Sequence, residues 1–126
     1  MILDTSGLSA VADGDSSLGP ILREASEVAV PVIVLGEYIY GIRQSRHRKR
    51  YEGWLQESLP NYRVLRVDEE TAPSYAALRS ELKKAGTPIP SNDIWIAALS
   101  RQYGLAVLSK DRHFDHVPGL HRVDWG

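Results

Sequence analysis

Four acidic residues lie within or next to apolar stretches of the chain and could share one site: Asp4, Glu37, Asp93 and Asp111. Carboxylates that share a site repel one another, and the repulsion raises a pKa unless a counter-charge is present. Oxygen ligands without cysteine, and without a histidine at ligand spacing, indicate Mg²⁺ or Mn²⁺ as that counter-charge rather than Zn²⁺. The chemistry predicted for this set is hydrolysis of a phosphodiester bond, in which the cation stabilises the charge of the transition state.

Each of these acids also has an ordinary structural explanation when it is considered alone. Asp4 and Asp111 follow strand-like segments, where an aspartate commonly forms a turn or caps a helix. Asp93 is placed as a first-turn helix acid, which the helix dipole favours. Glu37 lies inside the run VIVLGEYIYGI, where a solvated acid is unfavourable. A structural role and a functional role therefore explain Glu37 equally well. The placement of all four together favours the functional interpretation.

The segments that must position these acids alternate between strand-like and helix-like patterns. Short apolar or alternating runs predict strands near residues 1–4, 28–30, 62–67, 105–109 and 120–124. Amphipathic periodicity with start and stop signals predicts helices near residues 6–12, 20–27, 32–44, 46–59, 69–84 and 91–103. For the run after Pro31, periodicity alone fits a strand or a helix, and a helix is the favoured interpretation. This alternation indicates a three-layer α/β/α sandwich with a central, mainly parallel sheet. The length suits one domain over residues 1–126.

In such a sheet the four acids converge on one edge. Asp4 and Asp111 come at or just after the carboxyl ends of their strands, where open α/β sheets bind ligands. The connecting helices run back antiparallel to the strands, so their N-termini lie at the same edge, and we expect Glu37 and Asp93 near those N-termini. Gly41 and Ala97 follow one turn later, and their small size predicts close packing of both helices against the sheet. We further expect Thr5 or Ser6, and Ser91, to cap their helices.

At these residues the sequence resembles PIN-domain nucleases, and within them the VapC toxins of type II toxin–antitoxin pairs. The resemblance rests on ILDTS around Asp4, on VPVIVLGEYIYGI around Glu37, on SNDIWIAALSRQYG around Asp93 and on LAVLSKDRHFDHVPGL around Asp111. The ending VPGLHRVDW is also typical of these proteins. Four segments in the family's order cover essentially the whole chain.

The resemblance implies a Mg²⁺- or Mn²⁺-dependent endoribonuclease that a small VapB-like antitoxin inhibits. It also implies a homodimer whose contact with operator DNA is made only through the antitoxin. Thr5, Ser6 and Asn92 match polar positions near the family's metal, although capping or turn formation explains Thr5 and Asn92 equally well. Asp115 matches an acid that some members add to the site.

Basic and aromatic residues give weaker indications of RNA contact. The run RHRKR at 46–50 is either a solvated helix face or a phosphate-binding segment, and the RNA-contact candidates are Arg43, Arg46, Arg48, Lys49 and Lys110. We expect the aromatic side chains near the acids to pack against other protein side chains rather than to stack on RNA bases: Tyr38, Tyr40 and Trp95. We expect His113 to pack in a loop beside Phe114, and general acid–base catalysis is its alternative role.

Composition sets the remaining limits. The formal net charge is −1, so no strongly basic surface points to nucleic acid by itself, and the absence of cysteine fits a reducing cytoplasm. No apolar run is long enough to span a bilayer, so no membrane partner is expected. Two alternatives stay open: an RNA-processing nuclease without an antitoxin, and a receiver-like phospho-acceptor switch. The second is disfavoured because that class needs an adjacent acidic pair after the first strand, and Asp4 stands alone.

Overall fold

The computed structural model describes residues 1–126, and its centre is a parallel sheet of five short strands. The strands are β1 (Ile2–Leu3), β2 (Ala29–Pro31), β3 (Arg63–Leu65), β4 (Val107–Leu108) and β5 (Arg122–Val123). Every neighbouring pair is parallel, and the order across the sheet is β3-β2-β1-β4-β5. The predicted α/β class with a parallel sheet is therefore confirmed.

Six α-helices connect and flank the strands. They are α1 (Thr5–Ala12), α2 (Leu18–Glu24), α3 (Val32–Arg43), α4 (Arg48–Ser58), α5 (Thr71–Lys84) and α6 (Ser91–Tyr103). Short 3-10 helices at Leu59–Asn61 and Arg112–His116 complete the set, and neither of these was predicted. Helices α1, α3 and α4 pack against one another, while α5 packs mainly against α6. None of the helices combines the length and the apolar character that crossing a membrane would require.

The core lies on both faces of the central strands. Ile2, Leu3, Val30 and Leu108 are fully buried, and consecutive residues of a strand are buried together. This is expected when helices cover both faces of a parallel sheet, because neither face is left to solvent. Burial of each such side chain stabilises the fold by about 1.5–3 kcal/mol. The central strands therefore hold the residues that follow them in fixed positions.

The strand order creates a crevice beside β1. The chain builds one side of the sheet through β2 and β3 and then crosses to the other side of β1 for β4 and β5. The order therefore reverses between β1 and β4, and open α/β sheets bind ligands at the carboxyl ends of strands where this reversal occurs. Asp4 directly follows β1 and Ser109 directly follows β4, so both residues stand at this crevice.

Two capping predictions were wrong. The N-cap of α1 is Asp4, whose side chain accepts a hydrogen bond from the backbone N–H of Gly7, and neither Thr5 nor Ser6 caps the helix. Helix α6 begins at Ser91, but the residue before it is a proline and no side chain caps that helix. The hydroxyls of Thr5 and Ser6 bond to acidic side chains instead.

The predicted close approach of α3 was also wrong. Glu37 is the sixth residue of α3 rather than near its start, and a Cβ added at Gly41 would meet nothing within 4 Å. Ala97 of α6 is buried as expected. The glycine that does permit close packing is Gly7, where an added Cβ would lie 2.7 Å from the backbone oxygen of Leu108. Gly7 therefore lets α1 pack directly against β4.

Candidate functional site

Asp4 occupies the carboxyl end of β1, and its carboxylate is largely enclosed by hydrogen-bond donors. Its Oδ1 accepts from the Ser6 hydroxyl at 2.7 Å and from the backbone N–H of Gly7 at 2.8 Å. Its Oδ2 accepts from the hydroxyl of Ser109. The residue is only 6% exposed. Asp4 is therefore fixed in one orientation by α1 on one side and by the end of β4 on the other.

Two serines connect Asp4 to the segment that carries Asp111. The Ser109 hydroxyl donates to Asp4 and accepts from the backbone N–H of Asp111 at 2.8 Å. The Ser6 hydroxyl donates to Asp4 and accepts from the backbone N–H of Lys110 at 3.2 Å. Ser109 was missed by the sequence analysis, although its place at the end of a predicted strand, two residues before Asp111, was a usable signal.

Asp93, Asp111 and His113 form the tightest group of potential ligands. One ligand atom from each lies within 4.8 Å of the other two. The Nδ1 of His113 lies 3.2 Å from Oδ2 of Asp93 and 3.1 Å from Oδ1 of Asp111. Asp93 comes from the first turn of α6, and Asp111 caps the 3-10 helix that contains His113. The expectation that no histidine stands at ligand spacing was wrong.

The electrostatics of the group reflect burial and shared negative charge. Burial raises the pKa of Asp4, with Asp111 adding to the effect, even though the hydrogen bonds from Ser109, Gly7 and Ser6 lower it. Burial and then the charge of Asp111 raise the pKa of Asp93 to about 6, against the opposing effect of His113. The favourable helix N-terminus expected for Asp93 does not outweigh its burial. The three acids thus act on one another electrostatically and lack a full counter-charge.

Glu37 lies beside this group and is held by two neighbours of its acids. Its Oε2 accepts from the Thr5 hydroxyl at 2.9 Å, and its Oε1 accepts from the Asn92 amide at 2.6 Å. Thr5 follows Asp4 and Asn92 precedes Asp93, so both contacts link Glu37 to the segments that carry the other acids. Both carboxylate oxygens of Glu37 are engaged, and Glu37 is not among the ligand atoms that lie within 4.8 Å of one another.

The structure does not bring two other predicted residues into the group. Asp115 pairs with Arg122 through contacts of 2.7 and 3.1 Å, and this pairing lowers the pKa of Asp115. Lys110 donates to the backbone oxygen of Trp125 and lies 2.6 Å from Asp124. Lys110 is therefore bound to the C-terminal segment and does not point a free charge at the acids.

The predicted basic residues are exposed and lie beyond the site. Four of them lie near the junction of α3 and α4. Arg43 is in the last turn of α3, Arg46 lies between the two helices, and Arg48 and Lys49 begin α4. Arg48 forms an ion pair with Glu52, whereas Arg43, Arg46 and Lys49 form no ion pair. A phosphate-binding segment would therefore be an exposed patch at the C-terminal end of α3 and the start of α4.

The residues of the group fit a divalent cation. Two carboxylates and an imidazole converge within ligand range, a third carboxylate interacts with them electrostatically, and the pKa of Asp93 is raised to about 6 in the absence of a cation. A bound cation would offset the repulsion that raises this pKa. The carboxylate oxygens of this group suit Mg²⁺ and Mn²⁺.

Comparison with known proteins gives consistent matches over nearly the whole chain. The model of the PIN domain family matches residues 1–120. Ribonuclease VapC2 of Haemophilus influenzae is 30% identical over 104 residues, which are 82% of this chain and 79% of that protein. The tRNA(fMet)-specific endonuclease VapC of Salmonella typhimurium is 31% identical over 101 residues, which are 79% of this chain and 76% of that protein.

The solved structures agree with the sequence relatives. A chain in the crystal structure of DNA-bound VapBC from Salmonella typhimurium superposes with a TM-score of 0.87 and 26% sequence identity. The superposition covers 99% of this chain and 97% of that chain. This chain thus shares its overall fold with a protein of solved structure.

Proposed function

Because this chain belongs to the PIN domain family, and within it to the VapC ribonucleases, we propose that it is the toxin of a type II toxin–antitoxin pair and hydrolyses RNA phosphodiester bonds. Its catalytic site is the group of acids at the crevice between β1 and β4: Asp4, Asp93 and Asp111, with Glu37 beside them. The cofactor is a divalent cation, Mg²⁺ or Mn²⁺.

One observation carries this proposal. Acids that are far apart along the chain meet at the point where the strand order reverses. Burial, together with the charge of Asp111, raises the pKa of Asp93 there to about 6. Such an arrangement lowers the stability of the fold when no cation is bound. Acids with strongly perturbed pKa values in a crevice are typical of functional sites. Binding of a cation and of a substrate phosphate accounts for the cost.

The residues have separable roles in this proposal. Asp93 and Asp111 hold the cation, which when bound stabilises negative charge on the phosphate and activates the attacking water. Asp4 adds negative charge at a buried position of the crevice, where hydrogen bonds from Ser6, Gly7 and Ser109 hold it. Glu37, held by Thr5 and Asn92, is placed to orient a water or a further cation.

The proposal is tested by RNA cleavage with a matched pair of variants. Purified protein should cleave cellular RNA in Mg²⁺ or Mn²⁺ and stop when EDTA is added. Asp93→Asn should lower cleavage by more than the roughly 10–100-fold that loss of an outer partner of a metal ligand costs. Asp115→Asn removes the same charge from an acid that pairs with Arg122 and should cleave normally. Full activity of Asp93→Asn would refute the assignment.

The partners follow from the same family membership. A small VapB-like antitoxin should bind the protein and block cleavage, and operator DNA should be bound only by the complex; the solved relative from Salmonella typhimurium is described as DNA-bound VapBC. The protein alone should be a homodimer that acts in the cytoplasm, where its RNA substrate lies. Co-expression with the product of a short neighbouring reading frame should relieve growth arrest, whereas continued arrest would favour an RNA-processing nuclease without an antitoxin.

A further inference from the structure

His113 lies between two of the acids, where the proposed function needs a cation. It is in the 3-10 helix Arg112–His116, whose N-cap is Asp111. Phe114, the next residue, is fully buried and anchors this turn in the core. The backbone N–H of His113 also donates to Asp111 at 2.9 Å. The backbone position of His113 is therefore set by the packing of the turn, whereas its side chain is 48% exposed.

The distances around the imidazole match the edges of a metal coordination shell. With metal–ligand bonds of about 2.0–2.1 Å, neighbouring ligand atoms lie about 2.9 Å apart in an octahedron and about 3.3 Å apart in a tetrahedron. Nδ1 of His113 lies 3.2 Å from Asp93 and 3.1 Å from Asp111. These separations fall within that range, and the ligand atoms of Asp93 and Asp111 lie within 4.8 Å of each other, so the three atoms are close enough to share one cation.

Hydrogen bonding alone satisfies this arrangement only in part. Nδ1 carries at most one proton, and a proton points to one acceptor at a time, so it cannot serve both carboxylates fully. A cation among the three atoms is held by the lone pairs of all of them. The backbone contact to Asp111 already fixes the turn, so the imidazole is not needed for that purpose.

We propose that His113 is a nitrogen ligand of the cation held by Asp93 and Asp111, and that it shifts the preference of the site from Mg²⁺ towards Mn²⁺. The inference rests on the metal-dependent function proposed above. Mg²⁺ favours oxygen ligands and keeps its waters, whereas imidazole suits transition ions. A site of two carboxylates alone would favour Mg²⁺ at cellular concentrations, and one imidazole changes that balance.

Binding of Mn²⁺ to the intact protein tests the inference without any cleavage assay. Pulsed electron paramagnetic resonance of the Mn²⁺-loaded protein detects coupling to a directly bound imidazole nitrogen. Mn²⁺ and Mg²⁺ affinities are measured in parallel for the parent, for His113→Gln and for His116→Gln. His116 is the matched control because it is an exposed histidine of the same 3-10 helix without contact to the acids.

The parent and His116→Gln should both show nitrogen coupling, and His113→Gln should lose it. His113→Gln should also bind Mn²⁺ about 10-fold or more weakly, with Mg²⁺ affinity changed less than about threefold. Absence of Mn²⁺ binding or of nitrogen coupling in the parent, or an equal loss of both affinities in the variant, would overturn the inference. Because the parent is itself measured, a variant that fails to fold does not prevent a decision. Nitrogen coupling without RNA cleavage would uphold this ligand while refuting the nuclease function.

Discussion

Replacing Asp93 by asparagine should stabilise the metal-free protein at neutral pH. Burial and the charge of Asp111 raise the pKa of Asp93 from its ordinary value of 3.8 to about 6. An acid with a raised pKa contributes full stability below its unfolded pKa and loses that contribution as the pH rises through its folded pKa. At pH 7.5 the folded parent therefore carries an unfavourable charge that the asparagine variant lacks.

The size of the effect follows from the shift. About two pKa units correspond to about 3 kcal/mol, and because Asp93 is 17% exposed, solvent screening lowers the expected gain to about 1–3 kcal/mol. At pH 4.5 the gain should fall to about one third of its value at pH 7.5, because the parent is then largely protonated in the folded state. The asparagine oxygen can still accept a hydrogen bond from His113, so little else changes.

Urea denaturation in EDTA at the two pH values measures this gain directly. Asp115→Asn is the control, and it should lower the unfolding free energy instead of raising it. Arg122 lowers the pKa of Asp115, so the charged form of Asp115 stabilises the fold above the unfolded pKa. Added Mg²⁺ at about 100 times its dissociation constant should stabilise the parent by about 2.7 kcal/mol and the Asp93 variant by less. A variant that is less stable than the parent in EDTA at pH 7.5, or a gain that does not depend on pH, would refute the reasoning.

Three further changes test other parts of the structure. Gly7→Ala should lower the unfolding free energy by about 1–3 kcal/mol, because its Cβ would lie 2.7 Å from the Leu108 oxygen, whereas Gly41→Ala in open helix should raise it by about 0.5–1 kcal/mol; equal effects in thermal denaturation would contradict the packing argument. Tyr38→Phe should leave stability unchanged or raise it slightly, since the buried Tyr38 hydroxyl has no hydrogen-bond partner, and a clear loss in the same assay would indicate an ordered partner for that hydroxyl. Neutralising the basic residues at 46–50 should weaken RNA binding and flatten its salt dependence while Mn²⁺ affinity stays constant; an unchanged salt slope would remove this segment from the RNA surface.

The local patterns of the chain were sufficient to predict its class of fold and three of the interacting acids. Periodicity together with start and turn signals located every strand and every α-helix, because these signals depend only on neighbouring residues, although periodicity alone did not distinguish strand from helix after Pro31. Asp4 and Asp111 were recognisable because a carboxylate at the end of an apolar strand in an α/β chain lies at the ligand-binding edge whatever the strand order. The segment motifs then indicated the family, which the comparisons confirm.

The sequence alone left the distances between these residues open, since they depend on contacts between remote segments. The hydrogen bond from Ser109 to Asp4 spans 105 residues and exists only because β4 pairs with β1. The approach of His113 to Asp93 likewise requires α6 and the 3-10 helix to meet at one crevice. Strand order and helix packing are decided by burial of the whole core rather than by any local stretch. The residue types of the site could thus be read from the sequence, whereas the tertiary structure decided which of them touch, including the histidine that joins the acids and the glutamate that stands beside them.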